Sequence, residues 1–228
     1  MKILLLAATP FEIEPCLEYI KTAMVTYGDL QFQKGDHGLD ILITGVGSPA
    51  TIFKLSQAIN KVSYDLIINA GIAGSFDPKT PLGTVFQVVE DRFADLGIEE
   101  RDGSFSDLFD MELADPNEAP FVKGRLYNAT GDQFDFLPKA SAITVNKVHG
   151  HPSSIQLIKE KYPVQLESME GAGVFYCCQQ LEVNCLQIRS VSNYVEPRNR
   201  DNWDIGLAIG NLNQVLIEML STFLNPVV

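Results

Sequence analysis

The chain has 228 residues, 46% of them hydrophobic and 20% charged, with a net charge of −12 and a pI near 4.6. So acidic a surface repels polyanions, so neither nucleic acid nor an anionic membrane is expected as a partner. No apolar run approaches the roughly 20 residues that span a bilayer, and the apolar start runs into Pro10-Phe11-Glu12 without a leader cleavage pattern. A cytoplasmic protein is expected.

Cys16, Cys177, Cys178 and Cys185 lack zinc spacing and read as reduced core thiols, while His149-Gly150-His151 reads as a loop. Neither a metal nor another cofactor is expected. With no repeat, linker or break in composition, residues 1–228 read as one domain.

Lys2 to Ala8 is a nearly uninterrupted apolar run, the pattern of a strand buried on both faces. Glu12 and Glu14 follow it, where acids complement the dipole of a helix's first turn. Asp40 to Val46 and Asp65 to Ala70 repeat the strand pattern. Between them Pro49 to Lys61, with Ile52, Phe53, Leu55, Ala58 and Ile59, predicts a helix capped by Ser48. Further strands are predicted at Thr84 to Glu90, Ala140 to Val145, Val164 to Glu167 and Asn184 to Val191.

Helices are predicted at Glu170 to Leu181 and Trp203 to Leu224, the second with Ile205, Ala208, Ile209, Leu212, Val215, Leu216, Met219 and Leu220 on one face. The polar stretch from Glu99 to Glu118 lies between elements of one sheet. Alternating strands and helices predict an α/β fold with helices on both sides of the sheet. Ligands of such sheets sit beyond the carboxyl ends of the strands, which puts Ala8 to Glu12, Gly71 to Gly74 and Arg189 to Asn193 on the functional edge.

Gly45-Val46-Gly47 and Gly71-Ile72-Ala73-Gly74 follow apolar strands, where glycine lets backbone approach a ligand, but neither completes a dinucleotide-binding G-x-G-x-x-G. At its strand end, Glu12 has the position of a general base acting on water. Glu167 reads as a helix cap. Glu170 reads as a ligand residue, because one carboxylate can accept hydrogen bonds from both vicinal hydroxyls of a ribose, with Met169 as an adaptable apolar floor. Arg189 and Asn193 end a strand of apolar residues, where a cation and an amide cost desolvation unless paired.

Together the Glu12 loop, Asn69-Ala70-Gly71-Ile72-Ala73-Gly74, Glu167-Ser168-Met169-Glu170-Gly171 and Arg189-Ser190-Val191-Ser192-Asn193 resemble the purine and uridine phosphorylase superfamily. The likeness is to its nucleoside hydrolase branch, which includes the methylthioadenosine/adenosylhomocysteine nucleosidases. Ser192 to Arg200 followed by Trp203-Asp204-Ile205 is most similar to the futalosine hydrolases of the alternative menaquinone pathway.

The resemblance implies a three-layer α/β/α sandwich with a twisted mixed central sheet, and a homodimer or larger oligomer acting on a small purine nucleoside. It implies that Glu12 activates water, Arg189 lies near that water and Glu170 holds the ribose 2′ and 3′ hydroxyls. Ser168 and Met169 accompany Glu170, Ala73 and Gly74 line base and sugar, and Thr144 and Val145 lie where the base stacks.

Two departures discriminate within the superfamily. The loop after the first strand has no Arg, its nearest base being Lys21, which disfavours a phosphate co-substrate. Asn193 stands where adenine-specific members carry an aspartic acid, and an amide cannot protonate N7. A hypoxanthine-releasing hydrolase is therefore expected. An adenine-releasing nucleosidase, a phosphorylase and a non-catalytic nucleoside sensor are the alternatives. Phe11, Phe76, Phe93 and Phe134 are candidates to line a channel beyond the sugar.

Overall fold

The computed structural model describes residues 1–128 and 136–224. Strand β1 (Lys2–Ala7) leads into helix α1 (Pro10–Ala23), then an antiparallel ribbon of β2 (Val25–Gly28), β3 (Gln31–Lys34) and β4 (His37–Ile43). Helix α2 (Ser48–Lys61) connects to β5 (Leu66–Ser75), and β6 (Val85–Asp91) follows. A small hairpin of β7 (Gly97–Glu99) and β8 (Phe105–Asp107) stands apart from the main sheet. After β9 (Leu126–Tyr127) come β10 (Lys139–Thr144), α3 (Pro152–Lys161), β11 (Leu166–Ser168), α4 (Gly171–Gln180), β12 (Cys185–Tyr194) and α5 (Ile205–Leu224).

The sheet runs β11-β10-β6-β12-β5-β1-β4-β3-β2, with β9 on β6. β1, β4, β5 and β12 pair in parallel, so their carboxyl ends share one edge, while β6 meets β12 antiparallel. β11 pairs with β10 on one side and with the end of β5 on the other, through Leu166 with Ser75 and Glu167 with Gly74. Strands β5, β12, β6, β10 and β11 therefore close on themselves. This closure brings the start of α4 to the ends of β5 and β12.

Alternate residues of the central strands fill two cores. Leu5, Ala7, Ile68, Leu186 and Ile188 pack with Ile13, Cys16 and Ile20 of α1 and with Leu212, Leu216, Met219 and Leu220 of α5. Leu4, Leu6, Ile67, Val88 and Cys185 pack on the other face with Leu55 of α2 and Ala172, Val174, Phe175 and Cys178 of α4. A third cluster joins Ile155 and Ile158 of α3 to Phe76, Ile143, Val145 and Val195. Each large apolar side chain so buried stabilises the fold by roughly 1.5–3 kcal/mol. The face predicted for α5 is the one that packs, with Ala208, Ile209, Leu212, Leu216, Met219 and Leu220 all buried.

The structure corrects several boundaries. Gly47, at φ 94°, is the residue before α2 and Ser48 is its first residue, so Ser48 is not the cap. Gly71 to Gly74 lie within β5, and Arg189 to Asn193 within β12, because those two strands stay paired beyond their apolar segments. α3 and the β2–β3 ribbon are additional elements, short and largely exposed, with too little apolar periodicity to read from sequence. No helix among the described residues is long and apolar enough to cross a membrane.

Phe175 is wholly buried in α4, the helix that carries Glu170 at its start. Phe175→Ala is expected to cost about 3–5 kcal/mol, read as a lowered midpoint in urea unfolding at unchanged slope.

Candidate active site

The site is built around a guanidinium. Arg189 projects from β12 toward α4 and is only 1% exposed. Its Nε donates to Gln187 Oε1 at 3.1 Å, and its Nη1 lies 3.5 Å from Glu170 Oε2. Gln187 Nε2 in turn donates to Asp91 Oδ2 at 3.0 Å, while Asp91 Oδ1 accepts from Thr144 Oγ1 at 3.0 Å. The Thr144 hydroxyl then accepts the Ala172 N–H of α4 at 2.8 Å. This chain fixes the guanidinium plane from below. Burial raises the Asp91 carboxyl to about 6, against the opposing hydrogen bonds from Gln187, Thr144 and the Arg92 N–H and the attraction of Arg189. Nη2 of Arg189 is buried without a protein partner among the described residues.

Two carboxylates reach this cation from opposite sides of the sheet. Glu170 precedes α4, is 5% exposed, and its Oε1 accepts the Gly47 N–H at 3.0 Å. The positive φ of Gly45 and Gly47 turns the backbone so that this N–H points into the site. Glu12 comes from α1. Its Oε2 accepts the Thr9 N–H at 2.9 Å, closing the helix start, and its Oε1 accepts the Ile72 N–H at 3.3 Å across the strand edge. The capping role of a first-turn acid and the site role therefore fall to different oxygens of one side chain.

Gly71 is where these groups meet. A Cβ there would stand 2.2 Å from Arg189 Nη1 and 2.9 Å from Glu12 Oε1, so only glycine admits both.

Asn193 and Gly74 are register partners on β12 and β5, next to an irregularity at Ser192 that shifts the pairing. The Ser192 hydroxyl donates to Asn193 Oδ1 at 2.8 Å and Asn193 Nδ2 donates to the Tyr194 carbonyl at 3.0 Å. One N–H of the amide remains for a ligand. Ala73, adjacent to Gly74, is buried, and its carbonyl accepts from Ser192 Oγ at 3.3 Å. Ser168 Oγ is buried without a partner among the described residues, and half-buried Met169 gives its carbonyl to Ser48 Oγ at 3.2 Å.

Other residues singled out from the sequence are engaged elsewhere. Besides the Thr144 hydroxyl, the Val145 side chain is committed to the third core cluster. Glu167 is not a helix cap: it lies in β11 and binds the His149 N–H at 3.0 Å and His149 Nδ1. No cluster suited to a metal ion occurs among the described residues. Lys21 is paired with Glu18. Phe11 is exposed, Phe76 is core and Phe93 packs edge-on against Tyr176, while Phe134 lies outside the described residues.

Asn213 gave no signal in the sequence, standing as one polar residue on the apolar face of α5. It is buried, accepts the Cys16 N–H at 2.9 Å through Oδ1, and donates through Nδ2 to the Glu12 carbonyl at 2.9 Å. These are the two backbone atoms that a regular α-helix joins to each other. The neighbouring Pro15 supplies no N–H to the ladder. The side chain of Asn213 thus clasps the turn that carries Glu12.

The sequence profile of the phosphorylase superfamily matches residues 2–225. Among curated relatives, futalosine hydrolase of Streptomyces coelicolor is 33% identical over 78% of this chain and 77% of its own. A 5′-methylthioadenosine/S-adenosylhomocysteine nucleosidase of Tolumonas auensis is 23% identical over 96% of this chain and 99% of its own. Among solved structures, native futalosine hydrolase of Helicobacter pylori superposes with a TM-score of 0.78 at 14% identity, covering 97% of each chain. The chain belongs to the phosphorylase superfamily, and it has that superfamily's nucleosidase-type fold.

Two carboxylates share one guanidinium here, and burial raises the Glu12 carboxyl above the ordinary range. Arg189 and the N–H groups of Thr9 and Ile72 oppose the rise, and the Glu170 charge adds to it. A carboxyl held high in the folded state contributes stability at low pH that is lost as pH rises through its folded value. Glu12→Gln is therefore expected to be more stable than the parent at neutral pH, with the gap closing as pH falls toward about 4. Urea unfolding at a series of pH values checks the sign.

Asn213→Leu is expected to cost roughly 1–3 kcal/mol through unpaired backbone groups and to lower kcat more than it raises KM. Asn213→Asp, which keeps the acceptor for Cys16, should recover stability in part; steady-state kinetics on both variants measure the split.

Proposed function

We propose that this chain hydrolyses the N-ribosidic bond of futalosine, releasing hypoxanthine. The observation that carries this reading is the convergence of Glu12 and Glu170 on buried Arg189, with an amide rather than an acid on the neighbouring strand pair. Curated relatives from Streptomyces coelicolor, Acidothermus cellulolyticus and Thermus thermophilus are named futalosine hydrolases, which supports the same substrate.

The reaction breaks the bond from C1′ to the base through an oxocarbenium-like transition state and forms a bond from C1′ to a water oxygen. Glu12 takes the proton from that water, for which its raised proton affinity suits it. Arg189 holds the charge of both carboxylates. Glu170 receives the ribose 2′ and 3′ hydroxyls on lone pairs left free by the Gly47 N–H. The free N–H of Asn193 meets N7 or O6 of the base, which departs with negative charge spread over those acceptors. Such a preorganised contact contributes roughly 2–4 kcal/mol to lowering the barrier.

A second reading is adenine release, since an amide also pairs with adenine N6 and N7, and a relative from Campylobacter jejuni is named aminodeoxyfutalosine nucleosidase. Phosphate as nucleophile is disfavoured: Lys21 is paired with Glu18, and Arg189, through Glu170, is the one cation in an ion pair with either site carboxylate among the described residues.

The functional unit in this reading is a single-domain subunit of a cytoplasmic homodimer or larger assembly. Phe11, Val46 and Phe53, each more than half exposed and borne on the elements that hold Glu12 and Gly47, are its candidate contacts.

Chromatography of base release from futalosine, aminodeoxyfutalosine, methylthioadenosine and inosine, with and without phosphate, tests the assignment. Phosphate-independent hypoxanthine release from futalosine is expected, and its absence overturns the reading. Glu12→Gln should abolish turnover while futalosine still binds; full turnover in that variant removes Glu12 from the mechanism.

A further inference from the structure

The loop between β12 and α5 has no part in the chemistry above. It is tied down along its length: the Val195 N–H donates to the Ser75 carbonyl at 2.8 Å, Arg198 N–H to Gly150 at 3.2 Å, and Asp204 N–H back to Ser192 at 2.8 Å. The last bond sets Trp203 beside the Ser192–Asn193 corner, its Cα within roughly 13 Å of that of Asn193. A nucleoside bearing an aryl arm is long enough to reach across that separation.

Trp203 carries two cations. The Arg198 guanidinium lies 5.4 Å from its ring centroid and that of Arg200 5.6 Å. Neither guanidinium makes a side-chain hydrogen bond or an ion pair among the described residues. Two acids of the same loop are committed elsewhere: Glu196 Oε1 accepts from Asn202 Nδ2 at 2.7 Å, and Asp204 Oδ1 accepts the Leu207 N–H at 2.9 Å. A chain with a net charge of −12 thus keeps two like charges on one indole, and no carboxylate, that of the loop's third acid Asp201 included, forms an ion pair with either among the described residues. Stacking accounts for their attachment to the ring, and it leaves the hydrogen-bonding edges of both forks free for a planar anion.

We infer that Arg198, Arg200 and Trp203 form a subsite for an aromatic carboxylate, the guanidiniums taking the carboxylate and the indole lying against the aryl ring. Resting on the reading under Proposed function, the subsite receives the carboxyphenyl ketone carried on C5′ of futalosine. Aminodeoxyfutalosine carries the same arm, so the inference does not depend on which base leaves.

Trp203 is the only tryptophan of the chain, so its emission reports the cluster directly. Titration of the intact protein with benzoate is expected to give a saturable change in emission. Benzamide and inorganic phosphate should give none, and Arg198→Gln and Arg200→Gln should each weaken the benzoate response about tenfold, the loss of one charge-assisted hydrogen bond. No saturable change, or equal responses to benzoate and benzamide or to benzoate and phosphate, overturns the subsite.

Kinetics then place it on the substrate. Each variant should lower kcat/KM for futalosine about tenfold more than for its carboxyl methyl ester, and equal losses, or none, on the two compounds overturn the placement. If the parent releases no base from futalosine, the proposed function fails, while the benzoate titration still decides the subsite.

Discussion

Arg189 is the constraint on which the rest of the site depends. A guanidinium removed from water costs several kcal/mol unless it is paired and hydrogen-bonded, and this one has a 1% exposed side chain at the centre of the sheet. Glu170 lies against it, Glu12 answers its charge, and Gln187 with Asp91 holds its other edge. One cation serving two anions leaves an excess of negative charge. Burial keeps the Glu12 carboxyl above its ordinary range against the attraction of Arg189 and the N–H groups of Thr9 and Ile72, and the Glu170 charge adds to the rise; the water-activating role proposed for Glu12 needs that proton affinity.

The fold supplies the convergence. Glu170 arrives from the helix layer formed by α2 and α4, Glu12 from the layer formed by α1 and α5, and they approach Arg189 at the edge of β5, where Gly71 leaves room for the guanidinium and for Glu12. Closure of β5 through β11 lets a short turn set Glu170 beside Arg189. Each acid is also fixed by a backbone N–H, from Ile72 or Gly47, so the carboxylates keep their orientation without substrate. That is the preorganisation on which transition-state stabilisation rests.

The sequence carried the buried strands and the long amphipathic helix plainly, because periodicity and apolar runs are local properties. Glu12, Glu170 and Arg189 stood out since a charged group at a strand end or helix start invites a functional reading. Glu167 had the same local signature and a different role: its partner, His149, lies in a separate loop. Asn213 and Gln187 were silent for the same reason. Their partners, Cys16 and Glu12 for the one and Asp91 and Arg189 for the other, are distant in sequence or set by the pleat. Thr144 shows the reverse, a residue noticed for the base whose hydroxyl serves the network beneath Arg189.

What the sequence determined by itself was the α/β alternation, the acidic character of the chain, and a set of candidate side chains at strand ends and helix starts. These follow from composition and from neighbours within a few residues. What only the tertiary structure decided was which of them share one cation, why Gly71 must lack a side chain, and how Asn213 reaches across from α5 to grip the turn of Glu12. Such relations depend on strand order, sheet closure and desolvation, which arise when distant segments pack together and have no local trace in the chain.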